Sequence, residues 1–506
     1  MALLVGVLGV AAALASGHLV AGLIDPNASP FLAVGNTFID LTPLPLKDFA
    51  VRTFGTADKV VLLGGMAGFL LVAAVLAGLV SRRGPLPGSI FAIALGLVAV
   101  AAVYARPDLG QLAVLAPITS LVAGLLVFRG LHGLALRQAV AATEPGQAAE
   151  GPDRRKFLLG SVGVAVGSGL AGLGGQFVAG SVDVEGSRAQ VSKLIAHYPQ
   201  PDIAPGADFA RQGTPTFLTS NQEFYRIDTA LSVPRLRAED WSLRIHGMVD
   251  RELRLSFDDI AKRQLVTRTI TMTCVSNEVG GPYISTANFT GVLLRDLLAE
   301  AGIQPGADQV FSTSVDGYTA GSPVSETIDP GRNAMLAIGM NGQALPPEHG
   351  FPARLVVPGL YGYVSATKWV TDIELTTFAA KQSYWVPRGY TAKAPIKTES
   401  RIDIPQGLST VPAGTVVVAG IAWAQTKGIA KVEVQMDGGP WQEAELTTEV
   451  GKETWRMWRK EFDLKSGSHT VLCRATDSSG YTQTADRVSP IPNGATGLHT
   501  IVFVAQ

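Results

Sequence analysis

The chain has 506 residues, too many for one ordinary domain, and carries 41 basic and 42 acidic side chains for a net charge of -1. No dense basic stripe is present, which argues against a nucleic-acid partner. Cys274 and Cys473 are the only cysteines, too few for a disulfide framework or a cysteine-rich zinc site.

Mean hydropathy is +0.25, and the apolar excess sits in the first 180 residues. A bilayer core takes about 20 apolar residues as helix. Five stretches qualify: Met1–Ile24, Val60–Val80, Ile90–Ala105, Leu112–Phe128 and Phe157–Ala179. Arg82–Arg83 and the Arg129–Lys156 stretch are basic, so the positive-inside rule places them in the cytoplasm. Five spans then leave everything after Gly180 outside. Asp153-Arg154-Arg155-Lys156-Phe157-Leu158 resembles a twin-arginine export motif, although Asp153 and Leu159 depart from it and a plain positive cluster looks alike. His18 is the one histidine inside a predicted span, so a haem held between helices is not expected. The expected divisions are a membrane region over 1–180, a linker over 181–213, a catalytic domain over 214–400 and a β-rich domain over 401–506.

The second half reads as mixed α and β. Trp241–Gly247 alternates like a strand, Ser256-Phe-Asp-Asp259 is a capping box, and Val266–Cys274 is rich in β-branched residues. Val292–Ala301 reads as a short helix capped by Gly302. Thr415–Ala424, Ala430–Met436, Trp455–Leu464 and His469–Thr476 are strands at regular spacing, which predicts an immunoglobulin-like β-sandwich. Cys473 shares a strand face with Val471 and Ala475 and is expected as a small buried side chain.

Cys274 ends its strand at a glycine-containing loop, where side chains face clefts. From this residue alone, a structural thiol, a nucleophile and a soft metal ligand all stay open. Its surroundings carry a resemblance. Thr273-Cys274-Val275-Ser276-Asn277-Glu278-Val279-Gly280-Gly281 resembles the metal-binding segment of bacterial sulfite oxidase-like molybdoenzymes. His349-Gly-Phe-Pro-Ala-Arg354 through Tyr361-Gly-Tyr-Val-Ser365-Ala-Thr-Lys368-Trp369 resembles that family's pterin-binding segment. Ser383-Tyr-Trp385 with Tyr390 resembles its substrate-pocket segment, and Asn221 with Phe224-Tyr225-Arg226 its leading segment. The resemblance covers roughly Thr214–Gln506 and extends to actinobacterial-type members with a multi-span N-terminus.

It implies a sulfite oxidase-type molybdopterin domain with a C-terminal dimerisation domain, and a molybdenum–molybdopterin cofactor bonded by Cys274. Arg354, Lys368 and Arg226 would meet the pterin phosphate, Arg as a planar fork and Lys as a point charge. Asn221, Tyr225, His349 and the backbone near Ser365 would hydrogen-bond the cofactor, and Tyr390 would face the substrate oxygen. The implied reaction is two-electron oxygen-atom transfer to or from a small molecule. Sulfite-oxidising members carry arginines where this chain has Ser220 and Asn277-Glu278-Val279. Sulfite is therefore expected to be disfavoured against a neutral sulfur or nitrogen oxide. Sulfite oxidation proper, and sulfoxide reduction fed by the quinone pool, are the alternatives within the fold; a membrane-anchored adhesion or scaffold protein is the non-enzymatic one. No CxxCH haem motif occurs, so a separate cytochrome or quinone-linked protein is the expected electron partner, and the C-terminal domain suggests a homodimer.

Overall fold

The computed structural model describes residues 1–54, 57–106, 108–141 and 152–506. It divides into two units, Met1–Asp183 with Ala230–Val233, and Val184–Thr229 with Pro234–Gln506.

The first unit is helical: α1 (Ala2–Ile24), α2 (Pro30–Leu41), α3 (Leu44–Phe54), α4 (Asp58–Val80), α5 (Leu86–Tyr104), α6 (Leu115–Ala141) and α7 (Pro152–Gly180). Among the described residues, five helices are long and apolar enough to cross a membrane, and they coincide with the five stretches expected. Even α5, the shortest at 19 residues, reaches about 28 Å at 1.5 Å per residue. α1 packs against α4, α6 and α7. Its approach to α4 needs glycine on both sides: a Cβ on Gly6 would lie 1.9 Å from the Ala74 carbonyl oxygen, and one on Gly78 2.1 Å from that of Ala2. His18 is packed rather than paired with another histidine, its Nδ1 3.4 Å from the Ser29 hydroxyl. α6 runs past the expected end at Phe128, because no proline interrupts it, and places His132 Nε2 2.6 Å from the Ser81 carbonyl. The export-like motif lies at the start of α7; the side chains of Asp153 and Arg154 and residues 142–151 lie outside the described residues.

The second unit opens with a correction. The linker expected over 181–213 contains a helix, α8 (Val184–Ile195), burying Val184, Ser187, Val191 and Ile195. Those positions follow the three-and-four rhythm of one helix face, diluted by Glu185, Arg188 and Lys193.

The α+β part contains β1 (Ser242–Gly247), β2 (Leu253–Ser256), α9 (Phe257–Ala261), β3 (Val266–Thr273), β4 (Ile284–Leu293), α10 (Leu294–Ala301), β5 (Gln309–Ser314), β6 (Thr319–Pro323), α11 (Val324–Ile328), β7 (Met335–Met340), β8 (Gln343–Ala344), β9 (Arg354–Val356), α12 (Gly362–Ser365) and β10 (Val370–Thr376). One sheet has the order β2-β1-β10-β5-β6, with β1 and β10 parallel. The other runs β3-β4-β7-β8, with β9 on β7. The capping box forms as expected: Ser256 accepts the Asp259 N–H while Asp259 accepts that of Ser256. Gly302 ends α10 at φ +73°.

β4 is buried along its whole length although one face is polar. Its partner β3 satisfies that face rung by rung: Thr267 with Thr290 at 3.1 Å, Thr269 with Asn288 at 2.7 Å and Thr271 with Thr286 at 2.5 Å. Each unmade bond here would cost about 1–3 kcal/mol. The ladder fixes the register of β3 and hence where its last residue delivers the chain.

The C-terminal part is all β: β11 (Glu399–Ile404), β12 (Thr410–Val411), β13 (Gly414–Trp423), β14 (Ile429–Met436), β15 (Gln442–Glu443), β16 (Glu445–Leu446), β17 (Arg456–Leu464), β18 (Gly467–Asp477) and β19 (His499–Ala505). Two sheets, β11-β13-β17-β16 and β12-β19-β18-β14-β15, share a core around Trp458, Phe503, Val471 and Ala475. Cys473 lies in that core, fully buried as expected; burial pushes its thiol up to about 12.

Candidate active site

Cys274 follows β3 directly. Its N–H bonds the Tyr283 carbonyl at 3.0 Å, closing the neck of the loop 274–283, and its Sγ accepts the Ser276 N–H at 3.4 Å. Asn277 holds the same loop by accepting the Tyr283 N–H at 2.8 Å. The thiol is buried, and burial raises its pKa. Among the described residues no group of three His, Cys, Asp or Glu side chains could hold a metal ion. A metal bonded by this sulfur would have to bring most of its ligands with it.

The expected segments converge through contacts that sequence spacing does not show. His349 ends a short 3-10 turn, Pro347–His349, and Gly350 follows at φ +109°. A Cβ on Gly350 would lie 3.0 Å from the Lys368 Cβ and 3.1 Å from the Arg354 Cβ, so only glycine lets these two cationic residues flank the turn. Arg354 begins β9, is 4% exposed, and donates from Nη1 to the His349 carbonyl at 3.1 Å. No carboxylate pairs with it among the described residues, and its Nε has no partner. Burial lowers its pKa to about 10, so it remains a cation. A buried, unpaired guanidinium is costly by several kcal/mol unless an anion occupies the space beside it.

His349 is neutral: burial first, then the Arg354 charge, lowers its pKa to about 4. Its Nε2 therefore carries the proton donated to the Asn221 carbonyl at 3.1 Å. Phe224 packs edge-on to His349 and stacks on Tyr225, ring centres 5.4 Å apart in each case. The Tyr225 phenol is pushed up by burial and then by Cys274, with Arg354 opposing, which places it in the electrostatic range of both. Ser365 turns its hydroxyl inward to the Leu360 and Tyr361 carbonyls at 3.2 and 3.0 Å, leaving backbone groups as its means of meeting a ligand.

Two contributors escape sequence reading. Asp228 gathers two expected phosphate ligands: Arg226 Nε lies 2.5 Å from Oδ2, and Lys368 Nζ pairs with Oδ1. No local signal announces a partner 140 residues from Lys368. Asn341 donates from Nδ2 to Asn221 Oδ1 at 2.8 Å and to the Thr219 carbonyl at 3.0 Å. Asn341 and Gly342 both have positive φ and join β7 to β8 as a two-residue hairpin, a turn that an Asn-Gly pair signals.

Tyr390 lies in an aromatic group. Its ring centre is 5.3 Å from Tyr363 and 5.2 Å from Trp385; Tyr384 lies 5.2 Å from Trp385 and 5.6 Å from Tyr318. The Tyr318 hydroxyl closes the group on the Tyr363 carbonyl at 2.8 Å. Arg388 stacks on Tyr384 at 3.7 Å. Ser220 is exposed and bonds Glu223, Asn277 is buried within its own loop, and Glu278 is exposed.

The donor set fits a phosphate-bearing cofactor that supplies its own metal ligands: one thiol, one buried unpaired guanidinium bonded to the His349 carbonyl and a neutral imidazole, with Tyr225 in electrostatic range of the thiol and the guanidinium.

Residues 230–385 match the oxidoreductase molybdopterin binding domain and 392–493 the Mo-co oxidoreductase dimerisation domain. Asn221, Tyr225 and Arg226 precede the first match, and Tyr390 falls between the two. Mitochondrial sulfite oxidase of Rattus norvegicus is 31% identical over 328 residues, 55% of this chain and 59% of that protein. Nitrate reductase [NADH] of Ulva prolifera is 28% identical over 355 residues, 58% of this chain and 40% of that protein. The chain thus spans about three-fifths of the length of the sulfite oxidase and less than half that of the reductase. The crystal structure of the sulfane dehydrogenase SoxCD from Paracoccus pantotrophus superposes with TM-score 0.51 at 22% identity, covering 62% of this chain and 92% of that one, a likeness of fold. From residue 230 to 493 the chain belongs to the sulfite oxidase-like molybdopterin oxidoreductases, whose cofactor is molybdenum–molybdopterin.

Proposed function

We propose that this chain is a membrane-anchored, extracytoplasmic oxidoreductase that transfers an oxygen atom to or from a small neutral sulfur or nitrogen oxo compound. The observation that carries the reading is the buried Arg354 guanidinium, unpaired by any described carboxylate and bonded to the carbonyl of neutral His349. Cys274 would bond the metal. Arg354, with Lys368 and Arg226 shared through Asp228, would hold the pterin phosphate, and Asn221, Tyr225, His349 and the Ser365 backbone the ring system. When bound, the cofactor supplies two-electron oxygen-atom exchange. The chain's residues orient and exclude: the aromatic group around Tyr390 keeps water from the reacting face, and the Tyr390 hydroxyl offers a hydrogen bond to the substrate oxygen.

A neutral substrate is favoured because Ser220 and the loop Asn277-Glu278-Val279 stand where the resemblance implies arginines, and Glu278 there is exposed and acidic. Arg388 supports the second reading, sulfite oxidation, if its guanidinium leaves Tyr384 for an anion. The five apolar helices and the basic stretches flanking them support a membrane anchor with the second unit outside, and the β-rich domain an immunoglobulin-like fold that pairs two copies. Electrons would pass to or from a separate cytochrome or quinone-linked protein.

Two measurements test this. Metal analysis of the purified protein should give about one molybdenum per chain, lost in Cys274→Ser. Steady-state assays with artificial electron carriers should show turnover of sulfoxides or N-oxides and weak turnover of sulfite. High turnover at micromolar sulfite would reject the substrate assignment, and a metal-free protein the enzymatic one.

A further inference from the structure

The C-terminal sheet buries an acid behind the Cys274 strand. Glu399 opens β11, is 4% exposed, and its Oε1 has no hydrogen-bond partner among the described residues. Its cross-strand neighbour is Trp423 on β13, which shares that face, is fully buried and has an unpartnered Nε1. Two residues on, buried Gln425 donates from Nε2 to the Thr271 carbonyl at 3.3 Å and to Thr273 Oγ1 at 3.2 Å, while its Oε1 is unpartnered. Thr273 is the residue before Cys274. Buried polar atoms are nearly always satisfied, and where several share an enclosed seam their usual partner is ordered water.

Tyr361 lies within electrostatic range of both the acid and Cys274. Its ring is 2% exposed, and its phenol oxygen accepts the Lys397 N–H. A Cβ on Gly494 would lie 2.4 Å from that oxygen, so the seam is closed on this side. Burial pushes the phenol up, followed by the Glu399 carboxylate and, more weakly, by Cys274; the hydroxyl stands within electrostatic range of both.

We propose that Glu399 is the proton-storing residue of the metal site, exchanging its proton with the reacting oxygen through the Tyr361 hydroxyl and water held along Trp423 and Gln425. The proposal rests on the oxygen-transfer reading. Reduction of an oxide XO takes two electrons and two protons and releases X and water. The separate one-electron carrier supplies the electrons in two deliveries, Glu399 one proton and solvent the other. Run as an oxidation, the same proton returns to Glu399.

The charge that bears on Glu399 is that of Lys397, and the Tyr361 phenol near it is neutral. Lys397 Nζ is itself held by Asn493 Oδ1 at 3.0 Å and the Gly494 carbonyl at 2.6 Å. Burial raises the Glu399 carboxyl to about 8, with Lys397 opposing. The store is full at neutral pH and empties as pH rises through that value.

The test uses full-length holoenzyme, as wild type, Glu399→Gln and Tyr361→Phe. Infrared pH titration should show a protonated-carboxyl band that disappears near pH 8 in wild type and Tyr361→Phe and is missing from Glu399→Gln. Redox titration of the molybdenum(V) paramagnetic signal should show a break in the potential–pH plot near pH 8 in wild type, removed in Glu399→Gln and kept in Tyr361→Phe, where the signal re-equilibrates more slowly after a pH jump. A wild type without that band, or a Glu399→Gln variant that keeps the break while containing molybdenum, overturns the proton store, and a Tyr361→Phe variant that re-equilibrates at the wild-type rate overturns the path through Tyr361. A wild type without molybdenum overturns the oxygen-transfer reading, and the store with it.

Discussion

The Nη1 of Arg354 donates to the carbonyl of His349 at 3.1 Å, so the buried cation and the neutral imidazole are locked into one turn of chain. Removing the cation should empty the pocket of its anion. We expect Arg354→Met to lower molybdenum and pterin content at least tenfold, with Arg354→Lys keeping part of it. Charge-assisted hydrogen bonds of about 1.5–3 kcal/mol set that scale. Metal analysis together with pterin fluorescence after oxidative release checks it.

His349 gives a stability signature. Its folded pKa of about 4 lies below the ordinary 6.5, so the folded chain resists protonation. The stability this residue contributes is complete above about pH 6.5 and is lost as pH falls through 4. Thermal unfolding of His349→Gln should therefore decline less than wild type between pH 6.5 and 4, and the two should run parallel above pH 7.

Asp477 acts in a lower window. Burial would raise its pKa, but hydrogen bonds from Ser479, Thr398 and Lys427 outweigh it and hold the carboxyl at about 2. Its contribution is complete above about pH 4 and is lost as pH falls through 2. Asp477→Asn should destabilise the second unit by about 1–3 kcal/mol at pH 7 and by far less at pH 2, measured by denaturant unfolding followed by tryptophan fluorescence.

Asn341 separates turn from site. Asn341→Gly keeps a residue suited to φ +50° but loses both donors from Nδ2. We expect a modest fall in unfolding temperature, because the Asn288 N–H also loses the Asn341 Oδ1 it bonds at 2.9 Å, and a larger fall in cofactor content. Asn341→Ala should lower both, since alanine is strained at that φ.

Gly350→Ala places a methyl group about 3 Å from the Lys368 and Arg354 side chains at a φ that favours glycine. A loss of about 1–3 kcal/mol in stability is expected, with cofactor content reduced as the two cationic residues are pushed apart. Calorimetry and metal analysis on the same sample check both.

Much of this was legible in the sequence where one local rule governed. The apolar spans, the Ser256–Asp259 box, the Gly302 cap and the burial of Cys473 each depend on a few adjacent residues. What escaped depended on distance. Helix α8 earns most of its stability by packing rather than by propensity, and its face is mixed with charge. Asp228 matters because Lys368 reaches it from 140 residues away, and Asn341 because its turn lies beside Asn221. The Cys274, His349–Lys368 and Tyr390 segments were visible as a family pattern; their contacts were not, since Tyr225 comes within electrostatic range of Cys274 and Arg354 only through the fold.

The parallel pairing of β1 with β10 sets an order of events in synthesis. Arg244 sits opposite Asp372, so the middle of that sheet cannot close until the intervening stretch has left the ribosome. At typical elongation speeds the wait is on the order of ten seconds. Throughout it the N-terminal helices are already out, while Arg354 and Lys368 are still being made. If Arg354 and Lys368 hold the cofactor as proposed, loading comes late, on a nearly finished polypeptide.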